Sequence, residues 1–261
     1  MKNGKLLAGL DIGHVHTKAI LMKEQNILGC DTVPTGLDVV AAAQTALHHA
    51  LEAVRVSREE LAGIVATGIF RDRVKEPPLN VTTTVPDYAA DAKGALFLNS
   101  RSRTVIDIGG NIHKAVHYDR NGNLLDVVQN DKCADGLGIF YTTLAKAFGV
   151  SEQELSELAL TSTKHLSVAI HCAASAESEA IGLLCQGADI ADVADAVSRF
   201  IVERVAAMAS TLPLTREIVV AGGLAKSKAL MKHLPVLLKQ DVSVLNLPEY
   251  VGAIGAVMSY L

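Results

Sequence analysis

Asp11, Gly13 and Lys18 follow an apolar stretch, and Asp107, Gly109 and Lys114 repeat the same residue types at the same spacing 96 positions later. The chemistry open to such a set is phosphate chemistry. Glycine lets a bulky anion approach the backbone because no Cβ intervenes, and turn N–H groups point at phosphate oxygens. An Asp at a strand end can hold a hydrated Mg²⁺, a hard cation that takes carboxylate, water and phosphate oxygens together. His14 and Thr17 add an imidazole and a hydroxyl to the first copy, and Gly110 and Asn111 add a glycine and an amide to the second. Either copy alone reads as a hairpin turn. Two at matched spacing read as two loops that pinch one polyphosphate.

The elements that must carry these loops follow from the surrounding pattern. Leu6–Ile20 and Thr104–Val116 each read as an apolar strand, a turn and a second strand. A polar turn then leads to a third strand, Ile27–Cys30 in one half and Leu124–Val128 in the other. Each half then turns helical. Leu37–Val54, Gly138–Phe148, Ala173–Cys185, Ile190–Leu212, Lys226–Leu234 and Tyr250–Tyr260 carry helical patterns, and Ser151 with Glu154 forms a capping box. Gly63–Thr67, Ile218–Ala221 and Ser243–Leu245 read as short strands. The second of these releases at Gly222-Gly223, where the lack of side chains would let a nucleoside ring lie against the backbone. No GxxxxGK[ST] or GxGxxG follows a strand, so P-loop and Rossmann sites are excluded. The expected fold is α/β, with two lobes of duplicated topology around a nucleotide cleft, residues 1–100 and 101–261.

The chain has 261 residues, 24 Lys and Arg against 28 Asp and Glu, and no basic run, so nucleic-acid binding has no electrostatic footprint. Hydrophobic residues make up 49% and aromatics 4%, which leaves the packing to Ala, Val, Leu and Ile. No apolar run approaches the roughly 18 residues that a membrane span needs, and Asp11 interrupts the apolar N-terminal stretch. A cytoplasmic protein is expected. Cys30, Cys133, Cys172 and Cys185 include no CxxC pair. Cys30 and Cys185 fall in apolar pattern and read as core. His14, His16 and His113 read as exposed loop histidines, and Glu177 and Glu179 as acids in the first turns of their helix.

Gly9–Lys18 (GLDIGHVHTK), Ile106–Gly110 (IDIGG) and Ala221–Ala225 (AGGLA) resemble the actin, Hsp70 and sugar-kinase superfamily of ATPases. The resemblance narrows at Asn130–Phe140 (NDKCADGLGIF), Cys172–Ile181 (CAASAESEAI) and Pro248–Ala256 (PEYVGAIGA) to the activator ATPases of 2-hydroxyacyl-CoA dehydratases and benzoyl-CoA reductases. It implies two ribonuclease-H-like, actin-like ATPase lobes, the second carrying the cysteines and the adenosine site, with ATP and Mg²⁺ as cofactors. It also implies a 4Fe-4S cluster held by Cys133 and Cys172 and shared across a homodimer, or with a sister ATPase subunit. Partners so implied are a CoA-ester dehydratase or reductase and a ferredoxin or flavodoxin donor.

The same resemblance gives Asp11 and Asp107 a role in handling Mg²⁺ or the attacking water, with Asn111 beside them. Gly13, His14, Thr17, Lys18, Gly109, Gly110, Gly136, Gly222, Gly223 and Lys226 make up the nucleotide set. Both cysteines precede predicted helices, where unpaired N–H groups stabilise thiolates. A cubane needs four thiolates and one chain offers two, which fits a two-fold axis. Three departures stand out. Ile112 replaces an Asp of the usual DIGGQDSK, Asp91 falls where a His is usual, and Gly13–Lys18 lacks the usual hydroxyl-rich turn. A small-molecule kinase with Asp87 or Asp91 as base, and a non-redox nucleotide switch, are the alternatives; both leave the cysteine motifs unused.

Overall fold

The computed structural model describes residues 4–166, 168, 173–215 and 217–261. In chain order the first elements are β1 (Leu6–Ile12), β2 (His16–Lys23), β3 (Asn26–Pro34), α1 (Val39–Val54), β4 (Gly63–Thr67), β5 (Thr83–Thr84) and α2 (Asp87–Leu98). There follow β6 (Thr104–Ile108), β7 (His113–Tyr118), β8 (Leu124–Gln129), α3 (Leu137–Ala147), α4 (Glu152–Leu160) and α5 (Ala173–Cys185). The chain closes with α6 (Ile190–Ala209), β9 (Ile218–Ala221), α7 (Lys228–Leu238), β10 (Val242–Val244) and α8 (Val251–Tyr260).

Two five-stranded sheets result, with strand orders β3-β2-β1-β4-β5 and β10-β9-β6-β7-β8. With β6–β10 read for β1–β5, the two orders are the same. In each, the central strand pairs antiparallel with its hairpin partner, β1 with β2 and β6 with β7. It pairs parallel with a strand that arrives after a helix, β4 or β9. This is the duplicated α/β, ribonuclease-H-like topology.

The sheets lie in two compact units, Met1–Arg103 with Tyr118–Leu125 and Leu245–Leu261, and Thr104–His117 with Asp126–Val244. The units thus differ from a contiguous split at 100/101, and packing supplies the reason. In the first unit Ala253, Ile254 and Val257 of α8 share a core with Leu7, Ile20 and Met22 on one sheet face. Gly255 and Gly94 bring α8 and α2 together backbone to backbone. A Cβ on Gly255 would collide with the Ala90 carbonyl, and one on Gly94 with that of Val251. The opposite sheet face, with Leu10, Ile12 and Leu21, buries against Ala46, Leu47 and Ala50 of α1. Asp38 caps that helix by accepting from Val40 and Ala41 N–H groups. In the second unit Ile106, Ile108, Ala115 and Val220 pack on α3, α6 and α7. Each fully buried Leu or Ile contributes about 1.5–3 kcal/mol.

Two elements depart from expectation. α7 continues through Pro235 to Leu238 rather than ending at Leu234, because Leu234 and Leu238 both join the core. α2 has no apolar stripe to announce it: small residues such as Ala90, Ala92, Gly94 and Ala95 form its buried face. Among the described residues no helix is long and apolar enough to cross a membrane.

Candidate functional site

The seven-residue spacing from Asp to Lys becomes geometry through strand register. Asp11 stands opposite Lys18 in the β1–β2 ladder, and Asp107 opposite Lys114 in the β6–β7 ladder. Residues directly opposite share a sheet face. Lys18 Nζ donates to Asp11 Oδ2 at 3.0 Å, and Lys114 Nζ lies 3.0 Å from Asp107 Oδ2. All four side chains are largely but not wholly withdrawn from solvent, between 8 and 18% exposed. Each hairpin therefore offers an anchored cation whose counter-charge sits beside it.

The second oxygen of each carboxylate faces a glycine. Gly68 has φ +90° and follows β4; a Cβ there would fall 2.6 Å from Asp11 Oδ1. Gly222 has φ +89° and follows β9; a Cβ there would collide with Asp107 Oδ1. The hairpin turns are equally constrained. A Cβ on Gly13 would lie 2.9 Å from the His16 carbonyl, and one on Gly109 2.6 Å from that of Ile112. Gly223 is different, since nothing comes within 4 Å of its Cβ position, and it opens the 3-10 turn Gly223–Lys226 that leads to α7. This bare backbone suits a ligand ring. Lys226 is exposed on the same turn.

With one oxygen on a lysine, Asp11 and Asp107 are half-neutralised carboxylates, and among the described residues no group of three or more His, Cys, Asp or Glu can hold a metal. The donor set suits Mg²⁺ held through water and phosphate rather than in an all-protein cage. A further carboxylate lies near Asp11. Asp91 on α2 is 4% exposed, and its Oδ1 and Asp11 Oδ2 come within 3.5 and 3.4 Å of the same Gly252 Cβ position. Asp87, at the start of α2, lies 4.0 Å from Arg71, which donates to the Gly68 carbonyl.

Strand alternation moves two residues away from the expected set. Thr17 and Lys18 are neighbours on β2 and so point to opposite faces. Thr17 is fully buried, and its hydroxyl bonds Thr35 Oγ1 at 2.9 Å, while Thr35 donates to the Gly13 carbonyl. It shapes the turn from beneath. His113, expected in an exposed loop, is instead on β7 and 1% exposed, because it shares the inward face with Ala115. His14 and His16 are exposed, His14 packing edge-on against Phe70 at 5.3 Å.

The Cys133 turn is built onto the Gly109–Asn111 turn of the second hairpin. Ala134 N–H donates to the Asp131 carbonyl, and Asn130 exchanges backbone and side-chain bonds with His113, N–H to carbonyl at 3.1 Å and Oδ1 to N–H at 2.5 Å. Gly136, at φ +82°, donates to the Asn111 carbonyl, and Ile139 to that of Gly110. Helix α3 therefore starts directly on the Gly109–Asn111 turn. Cys133 is exposed in the turn ahead of that helix, a soft donor free to meet a group outside its own chain. Cys172 lies outside the described residues, immediately before α5. Cys185 is exposed at the far end of α5, not in the core as expected, and Cys30 is partly buried on β3. Glu177 is exposed on α5, and Glu179 half-buried. Sequence reasoning gives no role of their own to Gly68, Thr35 or Asn130, although Asn130 opens the Asn130–Phe140 motif; the repeat carries a signal for Gly68, which follows β4 as Gly222 follows β9.

Duplicated ribonuclease-H-like units, each with an Asp–Lys pair beside glycine turns, define the actin-like ATPase class. Within it, the chain belongs to the BadF/BadG/BcrA/BcrD ATPase family, whose sequence profile matches residues 8–259. It is 30% identical over 251 residues to the activator of lactoyl-CoA dehydratase of Anaerotignum propionicum, covering 96% of this chain and 95% of that protein. Component A of (R)-2-hydroxyglutaryl-CoA dehydratase from Acidaminococcus fermentans superposes with a TM-score of 0.90 at 29% identity, covering 98% of this chain and 97% of the other. The activator of 2-hydroxyisocaproyl-CoA dehydratase from Clostridium difficile, solved with bound ADPNP, gives 0.90 at 28% identity, covering 97 and 93%.

Proposed function

We propose that this chain is an ATP-dependent electron-transfer activator, which passes a low-potential electron to a CoA-ester dehydratase or reductase partner. The observation that carries the reading is the bonding of the Cys133 turn to the Gly109–Asn111 turn through Asn130, Gly136 and Ile139. A thiol and a candidate phosphate loop are thereby parts of one hydrogen-bonded block, which is what nucleotide control of a redox group requires. The names of the three relatives given above, two activators and a component of CoA-ester dehydratases, support the partner class.

In this reading Lys18 and Lys114 bind the phosphates of ATP, and Gly13, Gly109 and Gly110 admit them. Asp11 and Asp107 orient Mg²⁺ through water or the attacking water, with Asn111 beside them. Gly222, Gly223 and Lys226 border the adenosine. His14 flanks the first turn, and Gly136 sets the start of α3. Cys133 and Cys172, with their mates in a second copy or a sister ATPase subunit, would hold a 4Fe-4S cluster, which supplies one-electron chemistry when bound. A ferredoxin or flavodoxin would be the electron donor, in the cytoplasm.

The test is anaerobic purification followed by iron analysis and ATPase assay of the full chain. About four irons per dimer are expected. Cys133→Ser removes the iron, and Cys185→Ser keeps it, since about 18 Å of helix separates the two ends of α5. Iron-free protein that transfers phosphate to a small molecule overturns the reading in favour of a kinase. Iron-free protein that binds ATP without turnover overturns it in favour of a switch.

A further inference from the structure

The His113 imidazole takes no part in the chemistry set out above. The ring is buried, and among the described residues neither Nδ1 nor Nε2 has a hydrogen-bond partner. A neutral imidazole carries one donor and one acceptor, so both capacities are idle. Buried polar groups in native proteins are almost always satisfied, and an exception needs a reason.

The duplication supplies a reference. Thr17 holds the corresponding place in the first unit, one residue before the lysine, and there the side chain is engaged. Its hydroxyl meets Thr35, which in turn holds the Gly13 carbonyl, so the turn is latched to the end of β3. In the second unit the backbone of His113 makes the matching tie to Asn130, at the end of β8, while the side chain waits.

A partner lies close by. Asn130 Nδ2 donates to Asp135 Oδ1 at 2.7 Å. Asp135 is exposed, two residues past Cys133, and its charge reaches the ring, as does that of Asp107. Burial nevertheless holds the imidazole down to about 4, so it is neutral at pH 7 and available as a donor.

We propose that His113 is a positioning residue that couples the Gly109–Asn111 turn to the Cys133 turn, taking Asp135 as its hydrogen-bond partner when nucleotide phosphate occupies the site. The inference rests on the activator reading and gives it a route. Phosphate that draws on Lys114 shifts the first residues of β7, and the neighbouring ring, on the opposite face, moves with them. Its bond to Asp135 then changes the turn that carries Cys133. The device has two states because the ring is unsatisfied in one and satisfied in the other.

Hydrogen exchange of residues 130–139 in the full-length protein, with and without ADPNP, reads this coupling without any assay of electron transfer. In the unsubstituted protein ADPNP should slow exchange at Ala134, Gly136 and Ile139 by about fivefold or more. His113→Phe should abolish the response while ADPNP still binds, and His113→Gln, which keeps a donor and an acceptor, should restore most of it. Should the Phe variant fail to fold, Asp135→Ala at its exposed position should abolish the response in the same way. A full response in folded His113→Phe or in Asp135→Ala overturns the proposal. Calorimetry separates the two levels of failure. Bound ADPNP with unchanged exchange overturns the coupling alone, whereas a protein that binds no ADPNP overturns the activator reading together with it.

Discussion

Gly68 and Gly222 are small residues with a large constraint. Each adopts a positive φ that L side chains rarely take, and each sits where a Cβ would press on the carboxylate that holds a lysine. An alanine at such a φ costs about 1–3 kcal/mol in backbone strain. The carboxylate must also move, and its lysine loses the fixed partner that aims it. Gly68→Ala and Gly222→Ala are therefore expected to lower stability by about 1–3 kcal/mol each and to slow phosphate release from ATP in parallel. Urea melts and a steady-state phosphate assay check this. A variant that loses stability but keeps full turnover would separate that glycine from the site. Thr17 and Lys18 carry the opposite lesson at this scale. Adjacent letters in one motif, they face opposite sides of β2, and only Lys18 shares a face with Asp11.

At the scale of elements, the start of α3 joins chemistry to packing. A Cβ on Gly138 would fall 2.5 Å from the Gly109 carbonyl and 2.7 Å from Gly110 Cα. Helix propensity alone favours Ala over Gly by about 1 kcal/mol. Here overpacking against backbone that cannot yield should outweigh it, and Gly138→Ala is expected to destabilise by about 1–3 kcal/mol in a urea melt. A stabilised variant would show that α3 does not rest on the turn. The two sheets are legible in the sequence, because a repeated Asp-Ile-Gly and a constant Asp-to-Lys spacing specify hairpins and their register. α2 and the membership of α8 are not. Both helices rest on small residues whose role is backbone proximity, and that leaves no periodic trace. The burial of His113 is hidden because a strand shows its inward face only once its starting residue is known. The exposure of Cys185 is hidden as well, because its apolar neighbours Leu183 and Leu184 reach the core while the helix turns its own side chain to solvent.

Over the whole molecule, buried groups contribute one pH limit in acid and another in base. In the second unit, burial holds His113 down to about 4, below the ordinary 6.5 of an unfolded histidine. Between those values the unfolded chain binds a proton that the folded one refuses, so stability falls as pH drops from 6.5 to 4, by up to about 3 kcal/mol. In the first unit, burial pushes the Tyr118 phenol up to about 12, and its hydroxyl shares a 2.7 Å bond with Ser102. An unfolded tyrosine ionises near pH 10 while the folded one stays neutral, so stability falls as pH rises from 10 to 12, again by up to about 3 kcal/mol. A pH series of urea melts should therefore show an acid limb to which His113 contributes and an alkaline limb that Tyr118 shares with Tyr250, also pushed up to about 12 by burial, and with Tyr141, raised by burial as well. His113→Phe should make the acid limb shallower and leave the alkaline limb unchanged, and Tyr118→Phe should make the alkaline limb shallower, without removing it, and leave the acid limb unchanged. If either substitution alters both limbs equally, these two groups are not independent origins of the two limbs.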